Sequence, residues 1–317
     1  MGDDGNSELA DALAAVLNAS EVGAPVRLSG GASRETFRFT ADGRSLVLQR
    51  QRRGATHDMA VEAAALRIAG SAGVPVPEVI AASTDASALG ASYMILSAVD
   101  GETIARKILR DDEFATARKR LTSQLGAATA ALHAANVSSL PIAVPDGDPL
   151  AEYRAVLDLQ GEAHPAFELA FAWLLAHRPV AQRRSLVHGD LRLGNLIIGP
   201  DGLHAVIDWE LVHLGDPMED LGWLCAKAWR FGARPPVAGV GGYDELFSAY
   251  EAASGVAVDP AAVHWWEVFA TLKWGIICIG QAAVHTAGWS RSHELAAIGR
   301  RVCETEHDLF LALEGHW

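Results

Sequence analysis

The chain has 317 residues, 50% of them hydrophobic, and carries a net charge of −13. That length buries one large core or two modest ones, and the acidic balance lacks the basic field that draws a protein onto nucleic-acid backbones. An anionic ligand must then be held by local donors or by metal.

Three widely spaced cysteines, Cys225, Cys278 and Cys303, read as buried thiols of a reducing compartment rather than as disulfides or a zinc cage. The N-terminus, MGDDGNSELADALAAVLNAS, is acidic where a signal peptide would be basic. Apolar runs such as WGIICIG fall short of the ~20 residues of a membrane span. A cytoplasmic protein with no membrane and no nucleic-acid partner is expected.

In chain order, a helix is expected over Glu8–Leu17, followed by strands APVRLSG, ETFRFTA and RSLVLQR. Asp-Gly between the last two is a hairpin signal. Thr56 is placed to cap a helix through Ala69, with Val61, Ala65 and Ile68 facing inward. VPVPEVI and SYMILSAV continue the sheet, so residues 24–97 form an antiparallel sheet with one helix inserted after the third strand. From Asp111 helices dominate, over 112–135, 149–162, 164–177, 217–229, 243–253, 260–286 and 292–313. Asp216-Pro217 and Asp259-Pro260 have the form of helix starts, Asp as cap and Pro at the first helical position. SLV, NLIIG and HAVID interrupt this half as short strands. The expected class is α+β in two lobes, mainly β over 1–98 and mainly α over 99–317, with a ligand site where they meet.

The stretch LVHGDLRLGNLIIGPDGLHAVIDWELVHLGDP, Leu186–Pro217, interrupts apolar strands with acids at fixed points. Asp190 falls in a loop, Asn195 begins a strand and Asp208 ends the next, so a hairpin brings Asn195 and Asp208 together. One charged and one neutral oxygen ligand suit Mg²⁺, and Asp190 is left to face a hydroxyl. Metal to neutralise phosphates and a carboxylate to deprotonate an acceptor are what phosphoryl transfer requires.

HGDLRLGN followed by IDWE resembles the aminoglycoside phosphotransferase family, relatives of the eukaryotic protein kinases. GDPMEDLGWL, AALHA around His133, VPVPEVI and YMILSAVDGET extend the resemblance over nearly the whole chain. VLQRQRRG and IDWELVHLGDPMEDLGWL look closest to macrolide kinases and to the kinase domains attached to acyl-CoA dehydrogenases.

The resemblance implies a protein-kinase-like fold, Asp190 as base, Mg²⁺ on Asn195 and Asp208, ATP or GTP as phosphate donor, and a small hydroxylated acceptor. It implies a glycine loop over the phosphates at Ser29–Thr36, including Gly30, Gly31 and Ser33, and a hinge against the base at Ile95, Leu96, Ser97 and Ala98. It also implies a phosphate-binding Lys on the third strand, paired with a helix Glu. No Lys precedes Lys107, so that place falls to Gln49 or, one residue along, to Arg50, with Glu62 as the helix partner. Strand alternation lets only one of the two enter the cleft.

His188, Asp216 and Asp220 read as structural, and Glu210 either touches a second metal or faces solvent. The tryptophans from Trp265 to Trp289 read as core. The tryptophans and alanines after Asp259 suit a less polar acceptor. Two other functions compete: a non-catalytic nucleotide-binding pseudokinase, suggested by the missing Lys, and a metal-dependent phosphoester hydrolase. Neither Gly-Lys-Ser/Thr nor Gly-x-Ser-x-Gly is present.

Overall fold

A computed structural model describes residues 3–28, 34–52, 58–142, 147–180 and 183–315. The N-terminal part holds helix α1 (Asp3–Leu17), strands β1 (Val26–Arg27), β2 (Arg34–Ala41) and β3 (Arg44–Gln51), helix α2 (Met59–Ser71), and strands β4 (Val79–Ser83) and β5 (Tyr93–Ser97). The strands form one antiparallel sheet in the order β1-β2-β3-β5-β4.

At the Asp42-Gly43 turn both residues are left-handed, φ 46° and 77°, which matches the twist of the flanking strands and pairs Ala41 with Arg44. Alternation then sorts the side chains. Phe37, Phe39, Leu46, Leu48 and Ile95 pack with Leu9 and Leu13 of α1 on one face. Arg34, Thr36, Val47, Gln49, Met94 and Leu96 line a cavity on the other. Asp58 caps α2 by accepting the Ala60 N–H, while Thr56 lies outside the described residues.

The rest is α3 (Ala105–Arg110), α4 (Ala115–His133), α5 (Pro149–Gln160), α6 (Pro165–Ala176), β6 (Ser185–Val187), β7 (Leu196–Gly199), β8 (Gly202–Val206), β9 (His213–Gly215), α7 (Met218–Cys225), α8 (Tyr243–Ser254), α9 (Pro260–Thr286), α10 (His293–Gly299) and α11 (Val302–Leu313). β6 pairs with β9 and β7 with β8. The helix expected over 217–229 stops at Cys225 and continues as a 3-10 turn, Lys227–Arg230. The one expected over 292–313 is two, α10 and α11, separated at residues 300–301; α10 packs on α9, where a Cβ on Gly299 would lie 2.6 Å from that of Ala282.

By length and composition α9 is able to cross a membrane, although no single apolar run in it suggests so. It is the central helix here, with Trp265, Phe269, Leu272 and Ile276 buried and α5, α6, α7, α10 and α11 packed around it. Asp259 caps it through the Ala261 N–H. Trp265 and Trp266 are core, whereas Trp289 is exposed. Cys225 and Cys278 are buried as expected, but Cys303 is exposed, on the outer face of α11.

Two seams join the sheet to the β7–β8 hairpin. Glu102 and Ile198 exchange backbone hydrogen bonds of 2.9 and 3.0 Å, and the Val206 N–H donates to the Pro75 carbonyl at 2.8 Å.

Candidate active site

After β6 the chain turns through His188-Gly189-Asp190. Gly189 has φ 79°, and a Cβ there would lie 2.6 Å from the Leu211 carbonyl, so the turn requires glycine. Asp220 of α7 is fully buried and holds this turn from below. Its carboxylate accepts the backbone N–H of His188 at 2.9 Å and of Gly189 at 3.0 Å. His133, at the end of α4, meets Asp220 through Nε2 at 3.1 Å and the Tyr250 hydroxyl through Nδ1 at 3.0 Å. Burial pushes the Asp220 carboxyl up, but His133 and the His188 N–H outweigh it and hold the group below its ordinary value. His188 makes only internal contacts, its Nε2 at 3.1 Å from the Ile207 carbonyl. Asp216 accepts the Met218 N–H at the start of α7.

Three side chains fix the Asp190 carboxylate. Asn195 Nδ2 donates to Oδ2 at 2.7 Å, Trp223 Nε1 to Oδ1 at 2.9 Å, and Arg192 Nε to Oδ1 at 3.0 Å. The Arg192 guanidinium also lies over the Trp229 ring, 5.0 Å from its centroid. The Asp190 side chain stays 17% exposed, open to an approaching molecule.

Asn195 closes the 3-10 turn Leu193–Asn195 just before β7, rather than opening the strand itself. Its carbonyl accepts the Ile207 N–H at 3.0 Å, which sets Asp208 beside it. Asp208 is left-handed, φ 67°, a conformation that costs energy outside glycine and that Asp tolerates better than most residues. Burial raises its carboxyl above the usual range; Arg34 opposes this, while Glu210 and Asp190 add to it.

The site therefore carries an excess of negative charge, and its donors are all oxygens. Both amide protons of Asn195 go to Asp190, to the carboxylate and to the 2.9 Å backbone carbonyl, so its side-chain oxygen is the atom left to meet a cation. That set fits Mg²⁺ completed by water or phosphate oxygens. Among the described residues no three His, Cys, Asp or Glu side chains form a ready-made metal cage.

Above Asp208 lies a cavity of about 250 Å³ between the sheet and the β7–β8 hairpin, reached by Leu96, Ser97 and Ala98 above and by Ile197 and Ile207 below. At its inner end sits Arg34, which sequence reasoning passed over. Its Nη1 donates to Glu62 at 2.9 Å and to Gln49 at 3.0 Å; its Nη2 donates to Glu210 at 3.0 Å and lies 3.5 Å from Asp208. Gln49 thus faces the cleft. Arg50 does not, which excludes the one-residue shift: it points to the opposite face and bonds Glu35 at 2.7 Å.

Glu62 is on α2 as expected, but its partner comes from β2, and Glu210 meets that same partner. Ile95 also departs from expectation, since alternation turns its side chain into the core behind the sheet. The Ser97 and Ala98 N–H groups donate to the Glu78 and Ser45 carbonyls. Gly30, Gly31 and Ser33 lie outside the described residues.

A second cavity, about 620 Å³, opens between α5, α9 and residues 211–216. Tyr153, Trp265, Trp266 and Phe269 wall it, Arg178 pairs with Asp148 at 2.8 Å and Lys273 with Glu219 at 3.7 Å, and Arg183, Arg184, Glu152 and Asp216 complete its charged lining. It approaches Asp190 through Trp223, whose ring centroid lies 4.7 Å from Lys273 Nζ.

His213 lines this cavity and bonds Glu219 at 3.0 Å. Burial lowers the imidazole, but the Glu219 bond outweighs it and lifts the group above 6.5. A raised histidine stabilises the fold below its unfolded value, and the contribution is lost as pH rises through the folded one. The urea midpoint is thus expected to fall as pH rises above 6.5, and His213→Gln to flatten that fall. Identical pH profiles for the two proteins would discard the link.

The sequence matches the phosphotransferase enzyme family over residues 26–264. It is 30% identical over 211 residues to acyl-CoA dehydrogenase family member 10 of Mus musculus, covering 62% of this chain and 19% of that protein. The chain thus spans about a fifth of that relative's length. The crystal structure of a choline/ethanolamine kinase family protein from Mesorhizobium loti shares the fold at TM-score 0.66 and 19% identity, over 97% of this chain and 94% of that one. A ternary complex of aminoglycoside phosphotransferase APH(4)-Ia with ADP and hygromycin B does so at TM-score 0.61 and 18% identity, over 95% and 98%. With the family pattern running from β1 into α9 on this frame of sheet over helices, the chain belongs to the phosphotransferase enzyme family and has its protein-kinase-like fold.

Proposed function

We propose that the chain moves the terminal phosphate of ATP or GTP onto a hydroxyl of a small molecule, with Asp190 as the base. The observation that carries this reading is the convergence of Asp190, Asn195 and Asp208, the last of which lines the interlobe cavity. The APH(4)-Ia complex, which holds ADP and hygromycin B together, supports a nucleotide and an acceptor meeting on this frame.

Asp190, steadied by Trp223, Arg192 and Asn195, accepts the proton of the acceptor hydroxyl. The freed oxygen attacks the terminal phosphorus, and the bond from that phosphorus to the bridging oxygen breaks, releasing the nucleoside diphosphate. A Mg²⁺ on Asn195 and Asp208 would neutralise phosphate charge. Leu96 and Ile197 line the cavity in which the nucleobase would lie and would shield it from water. The aromatic walls of the second cavity, where acids and bases are evenly matched, support a less polar acceptor over a polycation.

The test is a panel of hydroxylated compounds with Mg-ATP or Mg-GTP, followed by release of the diphosphate and by mass of the phosphorylated product. A nucleotide-dependent phosphate ester that disappears with EDTA is expected. Phosphate release from esters without nucleotide would favour a hydrolase, and tight binding with no turnover a pseudokinase.

A further inference from the structure

The interlobe cavity poses a charge problem. Glu62, Asp208 and Glu210 surround its inner end, yet a nucleotide brings several more negative charges to the same place. Two basic side chains line the cavity among the described residues, Arg34 and Arg38. Arg38 turns outward, with its guanidinium on Asp100 at 2.9 Å and on Ser45 at 3.1 Å. Arg34 is buried, 8% exposed, and ends where Gln49, Glu62 and Asp208 meet.

We infer, resting on the phosphotransfer reading above, that Arg34 is the cation that grips the nucleotide's phosphates, delivered from β2 in place of a lysine on β3. Register makes the exchange possible. Thr36 stands opposite Gln49, so Arg34, Thr36 and Gln49 share one face and a side chain from either strand reaches the same point. Both nitrogens of the fork reach Glu62, Nη1 at 2.9 Å and Nη2 at 3.4 Å; Nη1 also meets Gln49, while Nη2 extends to Glu210 and Asp208 across the cleft. The 3.5 Å contact to Asp208 is the longest of the set and is the one a phosphate displaces. A guanidinium also offers two parallel donors to a phosphate where an ammonium offers a point charge.

The experiment is calorimetric titration of the whole chain with adenosine, AMP, ADP and Mg-ATP, the guanosine series run in parallel. Arg34→Ala is expected to weaken diphosphate and triphosphate binding by at least about tenfold, the scale of one charge-assisted hydrogen bond, and nucleoside binding by less than about twofold. Alanine leaves Glu62 buried without its cation, so Arg34→Gln, which keeps a donor for Glu62, supplies a folded variant lacking only the charge. The double variant Arg34→Ala/Gln49→Lys is expected to regain phosphate-dependent affinity from the neighbouring strand, and Arg50→Ala to leave the whole series unchanged.

A folded Arg34 variant that binds Mg-ATP as the wild type does would overturn the inference. So would an equal loss across the series including the nucleoside, the mark of a merely structural residue. Wild-type protein that binds no nucleotide at all would instead sink the phosphotransfer reading itself.

Discussion

Asp190→Asn is expected to cut kcat by about 10²–10⁴-fold while leaving nucleotide affinity within about twofold. Asparagine fits the same space, and its side-chain oxygen still meets the Trp223 and Arg192 donors at 2.9 and 3.0 Å, while its amide nitrogen faces the Asn195 Nδ2 donor 2.7 Å away, so the Asn195 amide has to turn or shift there. What it lacks is a basic oxygen to receive the acceptor's proton. The nucleotide cavity is lined by other residues, which is why binding is spared. Diphosphate release and direct titration, measured on the same preparation, separate the two quantities. Unchanged turnover with intact binding would remove Asp190 from the chemistry.

The second large effect falls on stability. Asp220→Ala should cost about 3–5 kcal/mol in urea unfolding, because it strands two backbone N–H groups and His133 in a buried space. Asp220→Asn keeps one acceptor and should fall between alanine and wild type. There is a pH signature as well. The folded Asp220 carboxyl lies below its ordinary 3.8, so its contribution is present above that value and lost as pH falls through the folded one. The Asn variant should lack that acid limb. A loss below about 1 kcal/mol for alanine would mean that water satisfies the turn, and that the helix does not hold it.

Local chemistry made much of this legible beforehand. Asp42-Gly43 set a hairpin, Asp259-Pro260 set a helix start, and the spacing of Asp190, Asn195 and Asp208 placed three oxygens around one hairpin. Arg34 escaped for a physical reason. Its part is set by cross-strand register and by Glu62 and Glu210, which are 28 and 176 residues away, and no local pattern encodes such distances. Its phase was nevertheless readable, since it lies two and four positions from Thr36 and Arg38 on one strand face. β9 is three residues long, too short for alternation to announce it, and exists because β6 offers it an edge. The role of Asp220 was visible only as helix-start chemistry, since its partners come from an earlier loop and from α4.

The exchange of hydrogen bonds between Glu102 and Ile198 bears on how the enclosure breathes. A crossing stitched to the ribbon beneath it is a poor pivot, and the ribbon's other edge is tied down at Pro75. The floor of the cavity and Asp208 at its end should therefore travel as a single plate. Deuterium uptake would register this as slow amides at Glu102, Ile198 and Val206 and faster ones along β1.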